Sequence, residues 1–351
     1  MNYDEHIISS RATVLEALGK LNALSGKAMT LFVSNEAGQI EGSLTDGDVR
    51  RWLVGGGTLQ AAVKDVAHKS MVAFRGTEIQ VSEVKRLRNR GITLIPQLDD
   101  DSHLLAIHDF SALRSLLPVD AVLMAGGKGE RLRPLTNDTP KPLLRVGDKC
   151  IIDYNIEALA RNGITNISVT TNYLAEQIDA HFAAPVAGVQ VRTVKEPCRL
   201  GTQGSLKLID NLEHEHVLVM NSDLLTTINY EDFYLAHIDA AADVTVASIP
   251  YMVSVPFGIF RGEGFKVEGL EEKPTYNFHA NGGIYLIKRE LISHIPAGQY
   301  YDATDFMLDV IARGGNVQHF PVQGMWMDIG SPADFKQAQD MMKRRNELSS
   351  L

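Results

Sequence analysis

The stretch "AVLMAGGKGERLRPLTNDTPKPLL", residues 121–144, decides the fold and directs the search for a site. Its apolar start is typical of a buried strand, which ends at Ala125 and is followed by three glycines within the next four residues. Basic residues follow at Lys128, Arg131, Arg133 and Lys141. Because glycines lack side chains, their backbone N–H groups can approach an anion closely. Arg131 and Lys141 can reach the same anion, so the stretch predicts a phosphate-binding loop at the end of a strand.

A tight turn between a strand and a helix would also explain the glycines, and a glycine-rich loop alone is weak evidence. The loop is not a P-loop, because no Gly-Lys-Ser or Gly-Lys-Thr follows it, and its spacing does not fit the dinucleotide pattern G-x-G-x-x-G. Other motifs along the chain must therefore decide between a turn and a binding site.

Composition narrows the class of protein. A length of 351 residues favours two domains, and the 44% hydrophobic and 22% charged content is that of a globular protein with a sizeable core. The net charge of −9 argues against a general nucleic-acid surface. We see no run near the roughly 18 apolar residues that cross a membrane and no signal peptide. Cys150 and Cys198 have no metal-like spacing, and a reduced, cytoplasmic location is expected.

A domain boundary is predicted near "SLLPVDAV". Pro118 ends a helix-like run, "DFSALRSLL", and a new strand begins directly after it. We therefore expect one domain over residues 1–117 and a second over residues 118–351. No long Gly/Ser linker separates them.

The first 117 residues contain a weak internal repeat of helix, strand, strand and helix. The line "GSLTDGDVRRWL" resembles the signature of cystathionine β-synthase (CBS) domains, and the segment looks like a small α/β CBS pair. In that family a threonine and an aspartate of the signature contact an adenine nucleotide, which implies a regulatory nucleotide at Thr45 and Asp48. The second half has Asp109 and Ala112 at these positions, which argues against a second site. Alternatively, the residues around Asp48 form only a turn and a helix cap.

From residue 119 onward, apolar strands alternate with amphipathic helices. This order predicts a parallel sheet covered on both faces, with ligands at the carboxyl ends of its strands. The predicted helices are "IIDYNIEALARNG", "AEQIDAHFA" and "QGSLKLIDNL", and the predicted strands are "AVLMA", "ITNISVTT", "VQVRTV" and "HVLVMNSD".

The string G-G-x-G-x-R-L-x-P, followed by P-K-P, resembles the sugar nucleotidyltransferases, and further motifs of that family appear in order over about residues 119–345. The resemblance implies a Rossmann-like, GT-A-like α/β fold with a mixed, mainly parallel sheet. It also implies an enzyme that transfers a nucleoside monophosphate from a nucleoside triphosphate to a sugar 1-phosphate and releases pyrophosphate.

Two aspartates are candidate ligands for Mg²⁺. Asp223 closes an apolar strand in "MNSDLL", and Asp328 lies in "GMWMDIGSPADF". Each could simply end a strand in a turn. The resemblance instead implies that the pair holds Mg²⁺, a cation that needs few protein oxygens when substrate phosphates complete its shell.

The remaining site residues follow from the resemblance. Arg131, Lys141 and Lys273 are the implied catalytic cations, and Lys273 in "LEEKP" would hold the sugar phosphate. The implied nucleotide-binding residues are Ala125, Gly126, Gly127, Gly129, Asn172, Leu200, Gly201, Thr202 and Gly204. The implied sugar-phosphate-binding residues are Glu272, Lys273, Asn281 and Gly282.

The substrates are less well defined. The run "TNYLAEQI" looks most like members that use guanylate, which favours GTP. A CBS pair joined to such a domain resembles enzymes that make an activated amino sugar, which favours glucosamine 1-phosphate. The alternatives are a mannose- or heptose-1-phosphate guanylyltransferase and a regulatory protein that binds nucleotide sugars without turnover. A homodimer is a further expectation, because CBS pairs often dimerise.

Overall fold

The computed structural model describes residues 3–349, and the chain forms two compact units, residues 1–116 and residues 117–351. None of the helices within the described range is long and apolar enough to cross a membrane. Both cysteines, Cys150 and Cys198, are free thiols.

The N-terminal unit contains two three-stranded sheets, ordered β1-β2-β3 and β4-β5-β6. In each sheet the first pairing is parallel and the second antiparallel, so the two halves share one pattern. Apolar side chains of α1, β2 and β3 form one core, and those of α4 and β5 contribute to another. The elements are β1 (Ile7–Ser9), α1 (Val14–Ala23), β2 (Thr30–Ser34), β3 (Ile40–Thr45), α2 (Asp46–Val54), α3 (Val63–Val66), β4 (Phe74–Arg75), α4 (Val81–Asn89), β5 (Leu94–Leu98) and β6 (Leu104–Asp109).

The predicted helix "DFSALRSLL" is absent, and that prediction was wrong. Strand β6 ends at Asp109, whose Oδ1 accepts hydrogen bonds from the Ser111 N–H at 2.8 Å and the Ser111 hydroxyl at 2.6 Å. This local bond closes a turn over residues 110–112, and the chain then runs irregularly to Pro118. An aspartate that bonds the backbone two residues ahead gives the chain an alternative to a helix.

The C-terminal unit holds the larger sheet. Its elements are β7 (Val119–Ala125), β8 (Arg145–Val146), β9 (Lys149–Cys150), α5 (Ile151–Arg161), β10 (Ile167–Thr171), α6 (Ala175–His181), β11 (Arg192–Lys195), α7 (Gly201–Gly204), β12 (His216–Asn221), β13 (Leu224–Thr226), α8 (Tyr230–Asp239), β14 (Val244–Ser254), β15 (Ile259–Arg261), β16 (Gly269–Glu271), β17 (Thr275–Lys288), α9 (Ala303–Ala312), β18 (Val317–Pro321), β19 (Trp326–Asp328) and α10 (Pro332–Ser349).

Seven strands form the central sheet in the order β11-β10-β7-β12-β17-β14-β18. Strand β17 is antiparallel to both of its neighbours, and the other pairings are parallel. The sheet is therefore mixed and mainly parallel, as predicted. Because β7, β10 and β12 run in the same direction, their carboxyl ends meet at one edge. The glycine loop leaves the sheet at that edge.

Apolar packing fixes both the sheet and the elements beside it. Val122 of β7, Val219 of β12 and Phe306 of α9 belong to one buried cluster, and each is at most 1% exposed. A second cluster joins α5 and α10 to Leu225 and Ile329. Leu225 lies two residues after the candidate metal ligand Asp223, and Ile329 directly follows the other candidate, Asp328. Burying a side chain of this size stabilises the fold by roughly 1.5–3 kcal/mol.

The predicted helix "QGSLKLIDNL" is only partly correct. Helix α7 covers four residues, and a short 3₁₀ helix follows over Ser205–Leu208. The N–H groups of Gln203 and Gly204 both donate to the carbonyl of Tyr301, each at 3.0 Å, so these groups contact a distant segment. The glycines here serve close backbone packing and not a regular helix.

Candidate active site

The glycine loop owes its shape to specific neighbours. A Cβ at Gly126 would lie 2.8 Å from Oε1 of Glu196, and Gly129 has a left-handed φ of +61°. A Cβ at Gly129 would also lie 3.2 Å from the Cβ of Lys141. At Gly127 a Cβ would meet nothing within 4 Å. Thus two of these glycines allow close packing within the site, and Gly127 leaves its space open to a ligand.

Lys141 connects this loop to the two candidate metal ligands. Its side chain is buried, pairs with Asp223 and places Nζ 3.5 Å from Oδ1 of Asp328, too far for a good hydrogen bond. The antiparallel pairing of β13 with β19 sets Leu224 opposite Asp328, and the N–H of Ile329 donates to the carbonyl of Asp223 at 3.2 Å. Two short strands therefore bring together carboxylates that are far apart in sequence.

Asp223 and Asp328 together have the features of a cation-binding site. Within the described part of the chain, Oδ1 of Asp223 and Oδ1 of Asp328 are buried and accept no hydrogen bond. Burial and the nearby charge of Asp223 raise the pKa of Asp328, while Lys141 and Arg131 act in the opposite direction. Two neighbouring carboxylates with unused buried oxygens are suited to a hard divalent cation such as Mg²⁺.

Arg131 reaches this group from the 3₁₀ turn Glu130–Leu132. Its guanidinium lies against Gly330, where an added Cβ would be 3.3 Å from Nη2. Its charge partly opposes the rise in the pKa of Asp328 that burial and Asp223 cause. The four predicted residues Arg131, Lys141, Asp223 and Asp328 are therefore assembled in one place.

A cleft of about 220 Å³ opens beside them. Its predicted lining residues are Gly126, Gly127, Gly201, Thr202 and Asp223. Lining residues that sequence reasoning missed are Met124, Glu196, Arg199, Asn221, Tyr300 and Asp302. Glu196 directly follows β11 and Asn221 ends β12, so the rule that ligands lie at carboxyl ends could have found both.

Glu196 is a buried carboxylate in the wall of this cleft. It is 7% exposed, and its Oε2 accepts a hydrogen bond from the Leu200 N–H at 3.2 Å. Burial raises its pKa, which hydrogen bonds and the charge of Arg199 only partly oppose. The amide of Asn172 donates to its backbone carbonyl at 3.2 Å, so Asn172 supports this wall of the cleft.

The loop of residues 200–204 is fixed against the start of α9. The Thr202 hydroxyl accepts a hydrogen bond from the Ala303 N–H at 2.8 Å, and the carbonyl of Leu200 accepts one from the Tyr301 N–H at 2.8 Å. Gly201 has a φ of +77°, and a Cβ there would lie 2.7 Å from the carbonyl oxygen of Tyr301. A Cβ at Gly204 would be equally crowded by the backbone. The glycines therefore allow the loop to pack on this segment.

One edge of the cleft is polar and aromatic. The Tyr300 hydroxyl donates to Asp302 at 2.5 Å, and the guanidinium carbon of Arg199 lies 5.7 Å from the centre of the Tyr300 ring. Asp302 also accepts a hydrogen bond from the Thr202 N–H at 3.3 Å. These contacts join the two segments that border the cleft.

The predicted sugar-phosphate residues fall into two groups. Asn281 and Gly282 lie in β17, where the Gly282 carbonyl accepts a hydrogen bond from the Trp326 indole at 2.8 Å. Glu272 and Lys273 are exposed in the connection between β16 and β17, and they are not among the described residues that line the cleft. Lys273 has a φ of +46°, unusual for a residue with a side chain.

Thr45 and Asp48 form the N-terminal cap of α2. Oδ2 of Asp48 accepts from the Thr45 N–H at 2.8 Å and from its hydroxyl at 2.6 Å, and Arg51 donates to Oδ1 at 2.5 Å. This is a reciprocal capping box, which satisfies the free N–H groups at the start of a helix. Both side chains are thus engaged within their own helix.

Residues 120–345 match the sequence profile of a family described as "Nucleotidyl transferase". The chain belongs to this family. Mannose-1-phosphate guanyltransferase beta-B of Xenopus laevis is 28% identical over 224 residues, which are 61% of this chain and 62% of that protein. D-glycero-alpha-D-manno-heptose 1-phosphate guanylyltransferase of Aneurinibacillus thermoaerophilus is 25% identical over 63% of this chain and 97% of its own length.

Among solved structures, the crystal structure of HddC from Yersinia pseudotuberculosis is similar with a TM-score of 0.50 and 25% identity. The similar region covers 64% of this chain and 99% of the HddC chain. The family profile and this similarity agree with the mixed α/β nucleotidyltransferase fold predicted from the sequence. The chain spans less than two thirds of the length of relatives such as the Xenopus protein.

Proposed function

We propose that this protein transfers a nucleoside monophosphate from a nucleoside triphosphate to a sugar 1-phosphate. The observation that carries the proposal is the group of the buried Lys141 and the half-buried Asp223 and Asp328, beside a glycine loop at the carboxyl edge of the sheet. An oxygen of the sugar phosphate attacks the α-phosphorus, and the bond to the β-phosphate oxygen breaks as pyrophosphate leaves. The nucleophile is already an anion, so no side chain has to remove a proton.

The side chains position two polyanions and offset their charge. The N–H groups of the glycine loop and Arg131 bind the β- and γ-phosphates and the departing pyrophosphate. Lys141 lies nearer the α-phosphate, and the exposed Lys273 is available to the incoming sugar phosphate. Asp223 and Asp328 would hold Mg²⁺, which when bound neutralises charge between the substrate phosphates.

Glu196 supports GTP as the nucleotide. Guanine carries an N1–H and an exocyclic amine on one edge, and a carboxylate can accept a hydrogen bond from each. Adenine, uracil and thymine do not offer this pair of donors. Glu196 is buried in the cleft wall with Oε1 close to Gly126, so it is suited to this role. The relatives named above are guanylyltransferases by description, which supports the same base.

The same relatives support a mannose or heptose 1-phosphate as the acceptor. Glucosamine 1-phosphate, favoured by the resemblance of the domain combination, has no support among them. For the N-terminal unit we propose a CBS-type pair that serves assembly or regulation, supported by its two sheets with one pairing pattern. A homodimer formed through this pair belongs to the same proposal.

The decisive experiment is a matrix of nucleoside triphosphates against sugar 1-phosphates with Mg²⁺, read by pyrophosphate release, with products identified by mass spectrometry. We expect GTP with mannose or heptose 1-phosphate to give a GDP-sugar. Glu196→Gln should reduce the preference for GTP over UTP by roughly tenfold or more, because an amide cannot accept from both guanine donors. Binding of a nucleotide sugar without pyrophosphate release from any combination would instead identify a regulatory protein.

A further inference from the structure

A second group of ligand-type side chains lies apart from the residues of the cleft. Cys150 precedes α5, Asp153 lies in its first turn, and His181 is the last residue of α6. The Sγ of Cys150, a carboxylate oxygen of Asp153 and a ring nitrogen of His181 all lie within 4.8 Å of one another. The proposed reaction uses none of the three.

Local structure explains how these side chains meet. Cys150 and Asp153 are three residues apart at the start of α5 and so share one face of it. The Cys150 N–H donates to Oδ2 of Asp153 at 3.3 Å, which leaves Oδ1 facing Nε2 of His181 at 2.7 Å. The imidazole packs edge-on against the buried ring of Phe182, with ring centres 4.9 Å apart. The contact between Asp153 and His181 therefore joins the start of α5 to the end of α6.

We propose that Cys150, Asp153 and His181 bind one Zn²⁺, with water as the fourth ligand. Sulfur, imidazole nitrogen and carboxylate oxygen together form a ligand set typical of zinc, whereas Mg²⁺ takes oxygen ligands. Zinc bonds of about 2.0–2.3 Å place tetrahedral ligand atoms about 3.3–3.7 Å apart, so the observed spacing needs only small side-chain movements. The side chains of Asp153 and His181 are 15% and 24% exposed, which leaves access for the ion and for water.

The position of this site gives it a structural role. It joins the start of α5 to the end of α6. Helix α5 also carries Asn155, which is 2% exposed and donates to the carbonyl of Leu224 at 3.0 Å, directly after Asp223. Zinc would therefore hold in place the helix that supports one of the two catalytic carboxylates, without contacting substrate.

The test uses the full-length, reduced protein after treatment with a chelator, with Mg²⁺ present in excess. Titration with Co²⁺ should produce one equivalent of bound ion with a thiolate-to-cobalt charge-transfer band. Titration with Zn²⁺ should also bind one equivalent and raise the Tm. Cys150→Ser should remove the band, whereas Cys198→Ser, which changes the other free thiol, should keep it.

Two further variants extend the test. Asp153→Asn and His181→Gln should weaken Zn²⁺ binding by at least about tenfold, a loss typical even for removing a residue that only orients a ligand. His294→Gln, at an exposed histidine elsewhere in the same unit, should bind as the wild type does. Asp328→Asn should also keep the zinc site, because the two sites share no residue.

Several results would overturn the proposal. Absence of the charge-transfer band in the wild-type protein would do so without reliance on any variant. Loss of the band in Cys198→Ser, or full Zn²⁺ binding by Cys150→Ser, would place the ion elsewhere. Loss of Zn²⁺ binding in Asp328→Asn would show that the ion occupies the catalytic carboxylates.

Discussion

The guanidinium of Arg131 lies against the backbone of Gly330, with Nη2 3.3 Å from the place where a Cβ would be. The glycine therefore sets how close this cation can come to Asp328, two residues earlier in the chain. Burial and Asp223 raise the pKa of that carboxyl group, and Arg131 partly opposes the rise, which indicates that the proximity has electrostatic consequences. A residue without a side chain thus positions the cation that we propose to act in catalysis.

Gly330→Ala should raise the KM for the nucleoside triphosphate severalfold. This effect should be smaller than that of deleting a preorganised donor, which reduces kcat by roughly 10²-fold. The methyl group displaces the guanidinium by a few tenths of an ångström and leaves its charge in place. Gly269→Ala is a matched control, because a Cβ there meets only the Cβ of Arg261 at 3.9 Å. Steady-state kinetics should show a higher KM for Gly330→Ala than for Gly269→Ala. Equal KM values would contradict the proposed role of Gly330 in positioning Arg131.

Asp328→Asn should reduce turnover by roughly 10²-fold or more while the fold stays intact. Partial burial and the charge of Asp223 both disfavour its ionised carboxylate, so without Mg²⁺ the variant should be at least as stable as the wild type. Mg²⁺ should stabilise the wild type and have little effect on the variant. Denaturant unfolding with and without Mg²⁺ measures this, and equal stabilisation of both proteins would exclude a two-carboxylate site.

Sequence reasoning succeeded where a local pattern and a topological rule agree. The apolar run before Gly126 predicts a central strand, and the rule for carboxyl ends then predicts that Asp223 lies near the loop. It missed Tyr300 and Asp302, because these join the cleft only through the packing of residues 299–302 on the glycines of α7. The helix expected after Asp109 failed for a related reason, since the bond from Ser111 to that side chain decides the local conformation.

Lys273→Ala should weaken the use of the sugar 1-phosphate and leave the affinity for the triphosphate close to normal, because this cation is assigned to the incoming substrate alone. Lys266→Ala is the control, since Lys266 is also exposed between β15 and β17 and pairs with Glu268 at 2.9 Å. Titration calorimetry with each substrate gives the measurement. Equal losses for both substrates would reassign Lys273 to general positioning.

His237 predicts a pH dependence of stability. Its ring is buried, Nδ1 lies 2.8 Å from the Thr245 hydroxyl, and Nε2 has no hydrogen-bond partner among the described residues. Burial, together with the neighbouring His216 and Lys288, lowers its pKa from 6.5 to about 4, although Asp243 opposes the shift. As the pH falls below 6.5, the unfolded chain takes up a proton that the folded chain does not.

The contribution of neutral His237 to the free energy of unfolding should therefore be fully present above pH 6.5. It should decline as the pH falls to about 4, by up to about 3 kcal/mol. His237→Gln keeps a polar contact with Thr245 but cannot titrate, so its stability should depend less on pH in this range. Urea unfolding at several pH values tests this, with His294→Gln at an exposed site as the control. An unchanged pH dependence in His237→Gln would assign the effect to other groups.

The cap formed by Thr45 and Asp48 separates the two interpretations of the N-terminal motif. Because each side chain bonds the other's backbone N–H, Thr45→Ala should cost the N-terminal unit about 1 kcal/mol whether or not a nucleotide is present. Asp46→Ala is the control, since Asp46 pairs with Arg50 and is outside the cap.

If the motif only caps α2, the full chain should bind the same number of AMP or GMP equivalents as Asp48→Ala. A further equivalent in the wild type that Asp48→Ala removes and Asp46→Ala keeps would instead establish a regulatory nucleotide site. Titration calorimetry with each nucleotide distinguishes these outcomes, and neither affects the assignment of the catalytic residues.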